Sequence, residues 1–528
     1  TGLILLFNGE DQKPIRKNLP YIINKAQEVL PDIDFEIMSM EEGLMELEKS
    51  PVDFERYQGE FTFGQYSRAH KSIFSTRADL KIMNNRIENY LQNIAEPVSS
   101  LAYILGFEYE EKVFEKIWKL MLDNSAHDSI GMCNSDETNK YVEHRFVEAA
   151  NLSASLTELK LREISTKIPV KDNFQFQVYN LLPYERGGLL ETQLFLPFEN
   201  VEIYDDEGNI YESEIISIED VTEEIFKKSI REIGVDNDSS TSWHKEIKRI
   251  YDSKILIDIK NLPPMSYKTL YIRENKKLKN TLSAKSNCIE NEYYSISIND
   301  NGTIDIFDKK RDKNYLDAVY FEDDGDEGDS YDYSEPTNNV YLREIKVTDV
   351  EIESNSLKDI MHINFEMPLP YNLEERSQGK TSVTNMINMD ISLIKKDPNI
   401  GIDVKVLNKA IEHRLRLIVN TEIYAKSSYA DQQFGTIERE VYLEEVEFWR
   451  EEGWDEKPRT IEPMQSFVSI ADDNLAVQVT TDSVREYQII GEKFNKIAMT
   501  ILRSTPFLGK EELNDRPGRE SGTKAPTP

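Results

Sequence analysis

Phe174-Gln175-Phe176-Gln177-Val178-Tyr179 alternates apolar and polar side chains without a break. That period of two belongs to a strand with one buried face. Upstream the period is different. Ile73, Leu80, Met83, Ile87, Leu91 and Ile94 recur at three and four residues and share one helical face. The change of period near residue 170 divides the chain into a helical part and a β part.

The helical part runs over residues 66–165. Pro97 interrupts the first apolar stripe. A second passes Leu101, Leu105, Val113, Phe114, Ile117, Trp118, Met121 and Leu122. Ser135-Asp136-Glu137 offers an N-cap, and a third stripe carries Tyr141, Val142, Phe146, Ala149, Leu152, Leu156 and Leu159. Three long helices with short connections predict an antiparallel three-helix bundle.

Beyond it the alternation persists. Ile255-Leu256-Ile257-Asp258-Ile259 puts three isoleucines on one face, and Tyr294-Ser295-Ile296-Ser297-Ile298 behaves alike. Asp205-Asp206-Glu207-Gly208-Asn209 and Asn299-Asp300-Asn301-Gly302 are turn clusters. Residues 170–528 are predicted as antiparallel β, arranged as sandwiches. A polar, lysine-rich stretch over 275–286 separates a first β-sandwich, 166–275, from a large one, 276–528.

Residues 1–65 alternate strand and helix. Leu3-Ile4-Leu5-Leu6-Phe7-Asn8 and Asp34-Phe35-Glu36-Ile37-Met38 are predicted strands. Pro14 is predicted to open one helix, and Glu41 to begin a second that runs to Ser50. Two parallel strands cannot pair and cover a sheet by themselves. The expectation is the C-terminal part of a larger α/β domain, in a multidomain α+β protein.

The bulk numbers agree with several domains. The 528 residues are too many for one core, and 39% hydrophobic with 30% charged residues is globular composition. The balance of 63 basic against 97 acidic residues, −34, repels phosphate backbones and anionic lipid. Nucleic acid and membrane are therefore not expected partners, and no apolar run reaches the length of a membrane span. Cys133 and Cys288 make no disulfide framework, so a cytoplasmic setting is expected.

Trp118-Lys119-Leu120-Met121-Leu122-Asp123-Asn124-Ser125-Ala126-His127-Asp128-Ser129-Ile130-Gly131 ends an apolar helix with a His beside an Asp. An imidazole there can bind a metal while the carboxylate grips a sugar hydroxyl or a second ligand. Taken alone, a helix-end His is more often a cap or a surface residue. The segment resembles the zinc-site segment of family 38 glycoside hydrolases, where a His-Asp pair follows a helix of the bundle. Leu5-Leu6-Phe7-Asn8-Gly9-Glu10-Asp11-Gln12 also resembles that family. So do His70-Lys71-Ser72-Ile73-Phe74-Ser75-Thr76-Arg77 and Asp326-Glu327-Gly328-Asp329-Ser330-Tyr331-Asp332-Tyr333. So does Tyr429-Ala430-Asp431-Gln432-Gln433-Phe434-Gly435 with Arg439. The pieces occur in the family's order over most of the chain, with the nearest likeness to the bacterial branch that includes mannosylglycerate hydrolase.

The resemblance implies a zinc-dependent retaining α-mannosidase with an α/β catalytic domain, a three-helix bundle and large β-sandwiches. It implies His127 as a zinc ligand and Asp128 as the neighbouring acid that contacts the sugar. Glu60, in Gln58-Gly59-Glu60-Phe61, matches the acid/base position, a task for a carboxyl that still carries its proton near neutrality. Without the family, Glu60 reads as a solvated loop acid. Asp11 matches a substrate-contacting acid, and Tyr429 a tyrosine that packs on the sugar. By the resemblance, the family's His-x-Asp ligands and nucleophilic Asp fall upstream of Asn8 and have no counterpart in these residues. The expectation is a fragment that lacks the N-terminal part of the catalytic domain, retains no zinc and turns over no substrate.

Other readings compete with this one. Glu322-Asp323-Asp324-Gly325-Asp326-Glu327-Gly328-Asp329 fails as a calcium loop: Gly328 replaces a carboxylate, and Asp329 stands where the turn needs Gly. It is expected as a solvated loop, or one overhanging the sugar site. His70 reads as a surface or helix-start residue, or one orienting site groups. A non-catalytic, carbohydrate-binding or structural β-sandwich protein is the alternative. A helical phosphohydrolase built on His127-Asp128 has only His70 and His144 as further ligands. The partner implied by the family is an α-mannoside, with mannosylglycerate, its phosphorylated form and α-1,3-linked mannosides all open. A homodimer suits such an enzyme, though no residue singles one out.

Overall fold

The computed structural model describes residues 3–9, 14–49, 56–225, 227, 249–275, 287–516 and 523–524. The chain divides into two compact units, Thr1–Phe61 and Thr62–Pro528. The stretch 276–286, expected as a domain boundary, lies outside the described residues.

In the first unit, helix α1 is Leu19–Val29 and α2 is Met40–Glu48. Pro20, not Pro14, occupies the first turn of α1, where its missing N–H has no intrahelical acceptor to lose. Ser39 and Glu42 form a reciprocal capping box that fixes the start of α2. Residues 3–8 and 34–38, expected as strands, join no β-ladder among the described residues. An extended segment becomes a strand only when a neighbour takes up its N–H and C=O groups.

The second unit opens with a 3-10 turn, Lys71–Ser75, followed by α3, Ala78–Tyr90. A π turn, Leu91–Ala95, leads straight into α4, Glu96–Ile104, with Pro97 in its first turn. The expected break at Pro97 is therefore a widened turn. Proline cannot donate to the carbonyl four residues back, and the π turn takes up the mismatch. The break comes at Gly106, whose φ of +93° suits glycine. There the Phe107 N–H donates to the Ala102 carbonyl at 3.1 Å and closes α4. Helix α5, Glu111–Asn124, the short α6, His127–Gly131, and the 30-residue α7, Asp136–Ser165, complete the bundle. Leu80, Ile87, Leu91, Phe114, Ile117, Met121, Val142, Phe146 and Ala149 fill its core. No helix among the described residues is long and apolar enough to cross a membrane.

Residue 175 onward is antiparallel throughout the described strands. Gln175–Asn180, Ser266–Glu274, Val201–Asp205 and Ile210–Tyr211 form one sheet in that order, and Arg186–Leu196, Tyr251–Leu262 and Ser213–Asp220 a second. Ile255, Ile257 and Ile259 enter the core between them, as their alternation predicts. The rest holds an eight-stranded sheet and two four-stranded sheets over one large core, with a two-stranded pair, Phe507–Gly509 and Thr523–Lys524, and a small separate cluster of Tyr320, Ile418 and Ala498. The strand Lys358–Leu369 shows the packing. Met361, Ile363, Phe365 and Met367 are buried, and the residues between them are half-buried. Phe365 meets Phe321 edge to face at 5.9 Å.

One buried cation holds the bundle loop in place. The Lys81 ammonium donates to the Gly131 carbonyl at 3.1 Å and to the Thr76 carbonyl. Burial pushes it down to about 7. Above that pH the folded protein releases a proton that the unfolded chain keeps up to the ordinary lysine value. Stability from this group therefore rises with pH between the two.

Phe365→Ala is expected to cost about 3–5 kcal/mol, read as a lower midpoint of the main thermal transition. Leu407→Ala, at an exposed position, should stay within about 0.5 kcal/mol of the parent protein. Lys81→Met should flatten the rise of melting temperature between about pH 7 and pH 10. An unchanged slope would show that the folded protein keeps Lys81 charged.

Candidate functional site

The segment after α5 is shaped by local hydrogen bonds. Asn124 is buried at the end of α5. Its amide donates to the Val142 carbonyl at 3.0 Å and accepts from Arg145, which ties α5 to α7. The chain turns at Ala126 and re-enters a helix at His127. Met132, with φ of +61°, ends that helix, and Asn134 Nδ2 donates to the Asp128 carbonyl at 2.8 Å. Gly131 is pressed against Ile73, where an added Cβ would come within 3.0 Å of Ile73 Cδ1.

His127 therefore starts a short helix instead of ending a long one, which corrects the sequence expectation. The physical reason is that Asn124, Ser125 and the turn at Ala126 close α5 first. Its imidazole Nε2 stands 3.6 Å from Asp128 Oδ1, and the two side chains are 93% and 62% exposed. This pair offers a metal one imidazole and one carboxylate. A zinc centre takes four ligands, or three and a water, so the pair does not by itself fit the zinc that the resemblance implies.

The other expected site residues are spread over the chain. Glu60 belongs to the first unit and is half-buried beside Gly59, whose φ of +133° suits glycine alone. Its backbone carbonyl accepts the Tyr57 hydroxyl, and the Tyr57 and Phe61 rings lie 4.7 Å apart. Tyr429 sits on the strand Ser427–Gln432 and donates its hydroxyl to Glu438 at 3.1 Å. That hydrogen bond pushes the phenol up. Asp11 lies outside the described residues.

The acidic run reverses an expectation. Glu322, Asp323, Asp324, Asp326, Asp329 and Asp332 are all buried, so it is not a solvated loop. Each meets a cation. Arg416 and Arg343 take Glu322, and Arg376 and His413 take Asp323. Arg414 takes Asp324, and Arg503 takes Asp326 at 2.8 Å. Arg516 bridges Asp329 and Asp332. Burial alone would raise Asp324, but the charge and hydrogen bond of Arg414, the charge of Arg416 and the Tyr333 hydroxyl together outweigh it and hold the carboxyl below its usual value. The sequence expectation failed because the basic partners of Asp324, Asp326 and Asp332 lie 90 to 184 residues away.

At the end of this run lies a constellation the sequence did not disclose. His70, Asp332 and Glu456 each present a ligand-type atom, all within 4.8 Å of one another. His70 caps the 3-10 turn with a left-handed backbone, φ +50°. Its Nδ1 is 3.1 Å from Asp332 Oδ2, and its ring is tilted over Tyr331 at 5.0 Å. Glu456 Oε2 accepts the Ala69 N–H at 2.8 Å. Burial raises Asp332, but the His70 hydrogen bond and the Arg516 charge outweigh it and hold it at about 2. Burial and the adjacent Asp332 charge push Glu456 up. His70 and Asp332 both stood in quoted motifs, but nothing around Glu456 signalled its place.

Residues 68–164 match the α-mannosidase middle domain, and residues 289–507 match the glycosyl hydrolases family 38 C-terminal domain. A Halalkalibacterium halodurans protein named "Putative mannosylglycerate hydrolase" is 24% identical over 562 residues, covering 98% of this chain and 60% of its own length. An α-mannosidase structure from Enterococcus faecalis V583 superposes with a TM-score of 0.77 at 22% identity, over 98% of this chain and 60% of that one. A structure of a protein in the Glycosyl Hydrolase Family 38 from Enterococcus faecalis gives 0.73 at 21% identity, over 96% and 61%. The chain spans about 60% of the length of these relatives. Two domains of one glycosidase family thus follow each other along most of the second unit, and the chain belongs to glycosyl hydrolase family 38.

Proposed function

We propose that the protein serves as a zinc-dependent retaining α-mannosidase. In this reading His127 is a zinc ligand, Asp128 and Asp11 bind the sugar, Tyr429 packs on it, and Glu60 is the acid/base. The observation that carries the reading is the exposed His127-Asp128 pair, which opens its own helix inside the segment matching the α-mannosidase middle domain. The short helix is held by Lys81 on the Gly131 carbonyl and by Asn134 on the Asp128 carbonyl, while the imidazole and the carboxylate stay exposed to meet a ligand.

Retention needs two carboxyls about 5–5.5 Å apart. One attacks the anomeric carbon as the bond to the leaving oxygen breaks. The other, assigned to Glu60, gives that oxygen its proton and later takes one from the attacking water. Of the zinc that the family implies, this chain is proposed to supply one ligand, and His127 with Asp128 does not retain the ion unaided. The substrate is proposed to be an α-mannoside, with mannosylglycerate suggested by the name of the Halalkalibacterium halodurans relative. A cytoplasmic site of action is part of the same reading.

The test is hydrolysis of an aryl α-mannoside and of mannosylglycerate, with zinc added. It compares the 528-residue chain with a longer gene product at equal concentration. Turnover by the longer product alone is expected, because no histidine of this chain is followed two residues later by Asp. Turnover by the 528 residues would place the nucleophile within them. Inactivity of both would sink the mannosidase reading. In the active protein, Glu60→Gln should lower kcat by roughly 10²–10⁴-fold. The loss should shrink with a dinitrophenyl leaving group, which departs without a proton, and equal losses on both substrates would exclude Glu60 as the acid.

A further inference from the structure

Around His70, Asp332 and Glu456 the charges do not balance. Asp329 and Asp332 share the Arg516 guanidinium, which donates to Oδ2 of each. Arg459 is committed to Asp515 at 2.9 Å and to the Tyr333 carbonyl. Lys457 also turns to Asp515. With Glu456 ionised, as a bound cation would make it, Asp329, Asp332 and Glu456 set three negative charges against the one positive charge of Arg516, and all four groups are buried. Burying carboxylates without full compensation costs several kcal/mol per charge, so the arrangement asks for a counter-charge.

A second observation shows where it would sit. Asp332 Oδ1 is buried and has no hydrogen-bond partner among the described residues. The other oxygen of the same carboxylate is doubly engaged, by His70 and Arg516. Glu456 is likewise held through Oε2. Each acid is thus anchored by one oxygen. Tetrahedral ligands about 2.0–2.2 Å from a shared ion stand about 3.3–3.6 Å apart, and the three donor atoms here lie within 4.8 Å. His70 is fixed by its left-handed backbone at the threshold of the bundle, and its side chain keeps 27% exposure, which leaves a way in.

We propose that His70, Asp332 and Glu456 bind a divalent first-row cation that ties the start of the helical bundle to the β part. One imidazole and two carboxylates suit zinc, with manganese second. The ion neutralises the surplus charge and takes up the orphaned Asp332 oxygen. It draws together segments that are 262 and 386 residues apart in sequence. This site uses none of the residues assigned to the mannosidase reading and stands or falls separately.

The 528-residue chain is stripped with EDTA, dialysed and titrated with zinc chloride. Bound metal is measured by equilibrium dialysis and elemental analysis, and stability by thermal unfolding. The parent protein should take up one ion that His70→Gln and Glu456→Gln both lose, and its melting temperature should rise by a few degrees only in the parent and in His127→Ala. The amide oxygen introduced by Glu456→Gln can still accept the Ala69 N–H, so that variant keeps the fold even where His70→Gln perturbs it. With cobalt, the parent and His127→Ala should show a visible d–d band. No uptake by the parent would overturn the proposal. Equal uptake by both glutamine variants would do so too, as would uptake lost only in His127→Ala. The last result would instead support the zinc assignment at His127.

Discussion

The second unit depends on a buried row of carboxylate–arginine pairs. The strand Lys313–Gly325 and the loop after it carry acids at 322, 323, 324, 326, 329 and 332 into the interior. Strands His413–Asn420 and Lys496–Ser504 answer with Arg414, Arg416 and Arg503. Such pairs add little net stability over apolar packing, because desolvation offsets attraction. They do impose register. A slip by one residue would strand several buried charges, each at a cost of several kcal/mol.

The row also sets how helices and sheets meet. Arg503 spans Asp326 and the Ser72 carbonyl, Ser75 donates to Glu486, and Thr76 donates to the Ser330 carbonyl. The bundle is therefore docked through directed polar bonds at its first turn. From there Lys81 and Ile73 reach Gly131 and fix the short helix that begins with His127. A chain of contacts leads from the β core to an exposed imidazole. Strain and orphaned polar groups gather along it, at His70, Asp332 and Glu486. Such features persist only where the surroundings over-determine them.

The family relation gives the exposed pair its meaning. His127 and Asp128 alone read as surface residues, and their exposure would support that. Both lie within the segment that matches the α-mannosidase middle domain. Two donors on a short helix fall short of the three or four ligands that a zinc centre takes. A centre needs ligands converging from several elements.

What the sequence determined by itself was periodicity and order. Each of the three stripes at helical spacing sends residues into the bundle core, although Ile94, Leu105, Leu122, Tyr141 and Leu159 stay exposed, and the isoleucines at 255, 257 and 259 face inward, because burial of one face is largely a local property of the pattern. The order of motifs was legible too, and it carried His127 and Asp128. Tertiary structure decided the rest. Strand status at residues 3–8 and 34–38 depends on partners that no local pattern encodes. The widening at Pro97 depends on the helix continuing through it. The fate of Glu322 to Asp332 depended on arginines far along the chain, since a carboxylate is solvated or buried according to whether a cation meets it. Glu456 had no signal in its own neighbourhood, and only the fold brings it to His70 and Asp332.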